Sequence, residues 1–306
     1  MNDAAPAPTL WLITDSKPGH RSQLQGLAQA LAARTAIDPH WIDTPAERSA
    51  LWQWLAGRFP PGAGLPDPDL ILVAGHRTHL AGLAARRARG GRLIALMRPS
   101  LPLACFDLCV IPEHDRPPAR ANVIATRGVL NTAQPSAARE ADRGLFLIGG
   151  PSKHHGWDTA GLLAQLDAIL AASPGMRWTL TTSRRTPAEA ESALLALRER
   201  GVDVRPVADT APGWAMAQVA RSAQAWVTED SVSMVYESLT AGAATGLLAV
   251  PRQGETRITA GVAALQREGF VTAFADWQRE GQLRAAPARL AEADRVAEAV
   301  LSRWPM

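Results

Sequence analysis

Short runs that are apolar on both faces alternate with amphipathic, Ala- and Leu-rich segments along most of the chain. Leu10–Thr14 reads as a strand, a helix follows near Arg21–Arg34, and His40–Ile42 is a short strand before a Trp-bearing helix over Ala46–Gly57. Leu70–Ala74 reads as a buried strand and Thr78–Arg87 as a helix. Leu93–Met97, Leu108–Ile111 and Asn122–Thr126 are further strands. A strand apolar on both faces needs cover on both, so the pattern predicts a parallel sheet with helices on each side.

The polar, Ala/Pro-rich stretch Asn131–Arg143 breaks this rhythm and is the natural linker. The alternation then restarts with strand Leu145–Ile148, a helix over Thr159–Ala172, strand Trp178–Thr182, a helix over Ala188–Arg200 and strand Val202–Arg205. A helix over Trp214–Ser222, strand Ala225–Thr228, a helix over Val232–Ala241 and strand Thr245–Ala249 complete it. The expected fold class is α/β, with two tandem Rossmann-like doubly wound domains, 1–135 and 136–306, and a ligand cleft between them. The last helix, Leu290–Trp304, is expected to pack back on the first domain. The 306 residues suit two cores better than one.

Composition narrows the function. The chain is 47% hydrophobic and 20% charged, which excludes a disordered polymer. Its formal net charge is only +3, and the arginines are scattered instead of forming a stripe with interleaved aromatics, which argues against nucleic acid as a partner. No run approaches the roughly 20 apolar residues of a membrane span. The opening MNDAAPAPT has no basic segment of a secretory signal, so a cytoplasmic location is expected, compatible with peripheral membrane contact. Cys105 and Cys109, placed four apart on one strand, would lie about 13 Å apart, too far for a disulfide. No His cluster joins them to make a zinc site, and they read as buried thiols in a reducing compartment.

In doubly wound folds ligands sit beyond the carboxyl ends of the strands, where helix N-termini present backbone N–H groups. The candidate chemistry is therefore sought at strand-to-helix turns. After the first strand come Asp15, Ser16, Lys17, Gly19 and His20, with Ser16 or Ser22 available as a cap. A histidine at a helix N-terminus stays neutral, as a general base must, so His20 is the catalytic candidate. His76, Arg77 and His79 follow the Leu70–Ala74 strand. Two histidines without a carboxylate or thiol make a poor metal site, so they are read as lining of an acceptor site, with no metal. Arg98, Glu113 and His114 extend that acceptor-side set, with a structural Asp–Arg pair as the alternative reading of this region.

In the second half, Gly149 and Gly150 follow a strand and allow close approach of a phosphate, with Ser152 and Lys153 to bind and neutralise it. The G-K-[ST] order of a Walker loop is absent. Arg184 lies in a hydroxyl- and Arg-rich loop whose guanidinium groups suit phosphate oxygens. Ser231 can cap the helix over Val232–Ala241, Ser233 lies in its first turn, and Glu237 can accept from the vicinal hydroxyls of a ribose. Glu229 and Asp230, adjacent on a strand, should face opposite ways, against a paired-carboxylate glycosidase.

The D-S-K-P-G-H-x-x-Q segment after the first strand, the R-P-S-L-P and F-D-L-C-V-I-P-E-H-D blocks, the G-G-P-S-K loop and T-E-D-S-V-S-M-V-Y-E-S-L-T-A-G together resemble the mitochondrial-fission "elongated mitochondria" family and its bacterial relatives. That family is similar to GT-B glycosyltransferases, including the transferase that adds N-acetylglucosamine to the lipid-linked peptidoglycan precursor. There a glycine-rich loop ends in Gly-His, as Gly19-His20 does here, and a donor helix carries a Glu for the ribose, where this chain has Glu237. This chain departs in having one glycine in the first loop and Glu229-Asp230 before the serine turn.

The resemblance implies a metal-independent, inverting glycosyltransferase with no tightly bound cofactor. It would use an NDP-sugar, UDP-sugar favoured, and a lipid-linked or polysaccharide acceptor of the cell envelope. Helix N-termini would stabilise the leaving diphosphate in place of a metal. Two alternatives stand beside it: a nucleotide-binding scaffold without turnover that recruits a partner protein, and a non-hydrolysing sugar-nucleotide 2-epimerase on the same scaffold. A Tyr-x-x-x-Lys pair is absent, since Tyr236 is followed at the fourth position by Thr240.

Overall fold

The computed structural model describes residues 7–136, 138–254 and 257–306, with side chains from 260 onward in the last segment. The chain divides into two compact units, Met1–Thr132 with Ala291–Met306, and Ala133–Leu290.

The first unit is built on a parallel sheet of β1 (Thr9–Thr14), β2 (Asp38–Asp43), β3 (Leu70–Ala74), β4 (Arg92–Leu96), β5 (Leu108–Pro112) and β6 (Val123–Thr126) in the order β2-β1-β3-β4-β5-β6. Residues β1 and β3 are buried throughout, as the doubly apolar pattern requires. One face packs against α1 (Pro18–Ala32) through Leu24, Leu27 and Leu31. The other packs against α3 (His76–Arg89) through Ala81, Ala84 and Ala85, with α2 (Glu47–Ala56) beside it. The chain runs from β1 outward to β2, then returns to place β3 on the other side of β1. The carboxyl ends of β1 and β3 therefore flank the topological switch point, the place where such folds bind ligands.

The second unit repeats this plan with β7 (Glu140–Leu147), β8 (Arg177–Thr181), β9 (Asp203–Arg205), β10 (Ser222–Thr228), β11 (Ala244–Leu248) and β12 (Val271–Ala273) in the order β12-β11-β10-β7-β8-β9, again parallel. Its helices are α4 (Thr159–Ala172), α5 (Ala188–Leu195), α6 (Trp214–Arg221), α7 (Val232–Ala241), α8 (Arg257–Arg267) and α9 (Phe274–Glu280). The switch point here lies between β7 and β10. The final helix, α10 (Glu292–Arg303), belongs to the first unit, where Val296, Ala297 and Val300 join the core beneath α1 and Arg34 bonds Asp294 and Glu298 at 2.9 and 3.0 Å.

Four local expectations need correction. β7 begins at Glu140, inside the stretch read as linker; its polar start is held by Arg143, Arg177 and Arg221, all paired with Glu140, so charge pairing rather than hydrophobicity defines that end. Cys105 is not on a strand: it closes a short 3-10 turn, Leu103–Cys105, while Cys109 lies on β5, and both are free thiols. Burial pushes the Cys109 thiol up to about 12, which makes it inert. Neither Ser16 nor Ser22 caps α1, because Lys17 holds the N-cap position with Pro18 at the first helical position. Glu229 and Asp230 lie in the turn after β10 rather than on the strand.

The α8–β12–α9 stretch escaped the sequence pattern. In α9 only Phe274 and Trp277 face the core, against Trp226 with ring centroids 6.2 and 5.3 Å away, too short a signal for helical periodicity.

Candidate functional site

At the first switch point, β1 ends at Thr14 and the backbone turns through Ser16, a non-glycine residue with φ 63°, into α1. The turn places Asp15 and His20 side by side, with Asp15 Oδ1 2.9 Å from His20 Nδ1. The Asp15 side chain is wholly buried, while His20 keeps 19% of its side chain exposed. Burial alone would raise the Asp15 carboxyl. The hydrogen bonds from His20 and from the Lys17 amide, with the Lys17 charge, outweigh it and hold the carboxyl below its ordinary value. An ionised carboxylate only accepts, so His20 Nδ1 donates and the ring lone pair falls on Nε2. Nε2 has no partner among the described residues. An oriented, acid-backed imidazole with a free Nε2 is the arrangement of a general base.

Gly75 makes this possible. It follows β3 with φ 88°, and a Cβ there would lie 2.3 Å from His20 Cε1, so the imidazole rests on a position that only glycine can occupy. Of the other expected acceptor-side residues, Gly19 and Lys17 share this turn. His76 and Arg77 are exposed at the start of α3, and Thr44 donates to the Arg77 carbonyl. His79 turns inward instead: it is buried, bonds Ser100 Oγ at 3.0 Å and meets Phe106 edge-on. Burial, with the nearby His76 and His20 charges, drives its pKa to about 4, so it is a neutral structural imidazole. Arg98 donates to the carbonyls of Asp115 and Arg116, tying the turn that carries Glu113 and His114 to the end of β4. Asp107 takes the structural role foreseen as the alternative, accepting from Arg86 and from the Leu93 amide.

At the second switch point the Gly149-Gly150 loop meets the turn after β10. Gly149 N–H donates to Thr228 Oγ1 at 2.8 Å and Gly150 N–H to Asp230 Oδ2 at 3.0 Å. A Cβ at Gly149 would stand 2.3 Å from the Asp230 carboxylate, and one at Gly150 2.1 Å from the Arg185 carbonyl. The glycines therefore serve close packing inside the protein, and both amides already have protein acceptors. Arg185, not Arg184, is the engaged guanidinium: it bonds the Gly150 carbonyl at 2.6 Å and Asp230 Oδ2 at 2.7 Å. Arg184 and Lys153 are exposed and unpaired among the described residues. Ser152 Oγ accepts from the amides of His154 and His155 and shapes its own loop. Glu229 points away from Asp230 to bond Arg252 at 2.8 Å, so the two acids do diverge.

Ser231 occupies the N-cap position of α7, but its side chain makes no capping bond. Its backbone, held by the bond from its own N–H to Thr228, stops at ψ 74°, short of the extended cap conformation. Among the described residues the first amides of α7 are thus left without an acceptor at the strand end, beside exposed Ser233. One turn on, Glu237 makes no hydrogen bond or ion pair among the described residues, and burial pushes its pKa up to about 7 from 4.5. This carboxyl opposes folding when charged. The penalty is absent below pH 4.5, grows as pH rises, and is complete above about 7. The second unit should lose stability across that window. Glu237→Gln should flatten the dependence and stabilise by about 1–2 kcal/mol near pH 8, as read by denaturant unfolding at several pH values.

Among the described residues no group of three or more His, Cys, Asp or Glu side chains could hold a metal ion, and no helix is long and apolar enough to cross a membrane. Arg185 and Thr228 carry no sequence signal of their own, and Asp230 reads in sequence only as half of an acid pair; in the Arg184-Arg185 dipeptide nothing marks which guanidinium turns inward.

Solved structures share the fold over their whole length. A UDP-GlcNAc 2-epimerase from Methanocaldococcus jannaschii is 10% identical, with 97% of this chain and 100% of that one covered and a TM-score of 0.61. The glycotransferase of kitacinnamycin is 15% identical, with 98% and 100% covered and a TM-score of 0.52. The fold is thus the GT-B type, two tandem Rossmann-like units. An uncharacterized protein of Rickettsia prowazekii is 29% identical over 114 residues, 35% of this chain, a match that spans about a third (32%) of that relative's length. The model of the family described as Mitochondrial fission ELM1 matches residues 18–304, and the chain belongs to that family.

Proposed function

We propose that the protein is a GT-B-type, metal-independent inverting glycosyltransferase that takes its donor, an NDP-sugar with UDP favoured, at the second switch point. The observation that carries this reading is the α7 N-terminus: uncapped amides at the end of β10, with the unpartnered Glu237 carboxyl one turn behind them. Uncapped amides suit a diphosphate, and a carboxyl without a partner suits the two hydroxyls of a ribose. Arg185, Lys153 and Arg184 are cations of that region, and Arg185 is held in place by Gly150 and Asp230. His20, held by Asp15, is the base that takes the proton of the acceptor hydroxyl. One in-line displacement at the anomeric carbon then inverts it, the diphosphate leaving with the electron pair of the broken bond. The neighbours described as a UDP-GlcNAc 2-epimerase and as a glycotransferase lend the sugar-nucleotide class support. A lipid-linked or polysaccharide acceptor fits this reading.

One observation favours the scaffold without turnover: the amides of Gly149 and Gly150 are committed to Thr228 and Asp230, so the glycine loop itself offers a phosphate little. A thermal-shift panel of UDP, GDP, ADP, dTDP and CMP on wild type and Glu237→Ala tests the donor site. One diphosphate should stabilise the wild type, by about 2.7 kcal/mol at a hundredfold excess over Kd, and the variant less. Stabilisation by none of them at millimolar concentration sinks the transferase reading.

A further inference from the structure

Five large hydrophobic side chains are exposed among the described residues, and three of them, Leu51, Trp52 and Leu55, lie on the single ten-residue helix α2. Trp52 is 71% exposed, Leu55 51% and Leu51 44%, and only Ala50 of this helix is buried. The spacing at 51, 52 and 55 puts them on one face, and Arg48, one turn before Trp52, extends that face with Arg58 just beyond the helix end. The other edge of the helix runs beside α3: Thr44 bonds the Arg77 carbonyl at 3.2 Å at one end, and the Arg87 guanidinium lies 5.4 Å from the Trp54 ring at the other.

Arg48, Arg58, Arg77 and Arg87 are all exposed, and none forms an ion pair with a described residue. Helix α3 carries no acid, and Glu47 is the acid of α2. An apolar face with a Trp, rimmed by unpaired arginines, is what an interfacial helix presents to the headgroup layer of an anionic membrane.

We propose that α2, with the arginines beside it, is the surface by which the protein docks on an anionic lipid bilayer. Trp52, Leu51 and Leu55 enter the headgroup–acyl boundary, and Arg48, Arg58, Arg77 and Arg87 meet the lipid phosphates. Charge complementarity selects this occupant. A second copy packed on the same face would set its four arginines against these four, with only the two Glu47 carboxylates to offset them.

Flotation of the full chain with phosphatidylcholine vesicles, with and without a third of the lipid replaced by phosphatidylglycerol, tests this. The protein should float with the anionic vesicles, less as salt rises, and little with the neutral ones. Trp52→Ser/Leu55→Ser should weaken partitioning roughly tenfold or more, and Arg48→Glu/Arg58→Glu by a similar factor. All four side chains are exposed, so thermal melts should match wild type and separate lost docking from lost folding. Failure to float with anionic vesicles, equal flotation with neutral ones, or flotation unchanged in both variants would overturn the proposal. So would a concentration-dependent dimer that Trp52→Ser/Leu55→Ser abolishes in the absence of lipid, which would assign the face to a second copy.

Discussion

Replacing His20 by Ala is expected to lower kcat for glycosyl transfer by about a hundred- to ten-thousandfold while leaving nucleotide binding by the second unit unchanged. His20 is the one group on which Asp15, the Lys17 turn and Gly75 all converge. Asp15 fixes the tautomer, so Nε2 carries the lone pair, and Gly75 leaves room for the ring. Asp15→Asn keeps the shape of the turn but removes the ionised acceptor. It should reduce kcat less than His20→Ala does, and change the pH profile of kcat, which a purely structural residue would not. Transfer assays with donor affinity measured separately decide this: a His20→Ala protein with wild-type kcat would remove His20 from the chemistry.

Gly150→Ala is expected to destabilise the second unit by about 2–3 kcal/mol. Its Cβ would stand 2.1 Å from the Arg185 carbonyl oxygen, a backbone atom that cannot move without disturbing the loop carrying Arg185 and the Gly150–Asp230 bond. Gly19 is the contrast: nothing lies within 4 Å of a Cβ built there, and the residue is in the first turn of α1. Gly19→Ala should therefore be neutral or slightly stabilising. Urea unfolding of both variants checks the pair, and equal midpoints would mean that the Gly150 loop yields more easily than its geometry states.

Much of this architecture is legible in the sequence because parallel strands buried on both faces write themselves as unbroken apolar runs. Leu70–Ala74, Thr159–Ala172 and Val232–Ala241 have in the structure the limits their patterns predict. The polar start of β7 and the short α9 are not legible, since one depends on ion pairs from distant strands and the other buries only two aromatic rings. The site follows the same division. Motifs at strand ends point to Gly149, Gly150, Ser231, Glu237 and His20, because topology alone brings strand ends to a switch point. What each does with its hydrogen bonds depends on partners far away in sequence. Gly150 and Asp230 are 80 residues apart, and it is their bond that turns a glycine pair from an open phosphate cradle into a closed internal contact. The uncapped Ser231 is likewise decided by the tightness of the Thr228–Ser231 turn, which residue type does not encode.

Hydrogen–deuterium exchange of the wild-type protein with and without saturating UDP tests the central claim most directly. Bound UDP should slow exchange at the N-terminal turn of α7 through Glu237 and in the loops carrying Lys153 and Arg185. Protection confined to the first unit, or protection nowhere while a diphosphate is bound, would contradict a donor site at the end of β10.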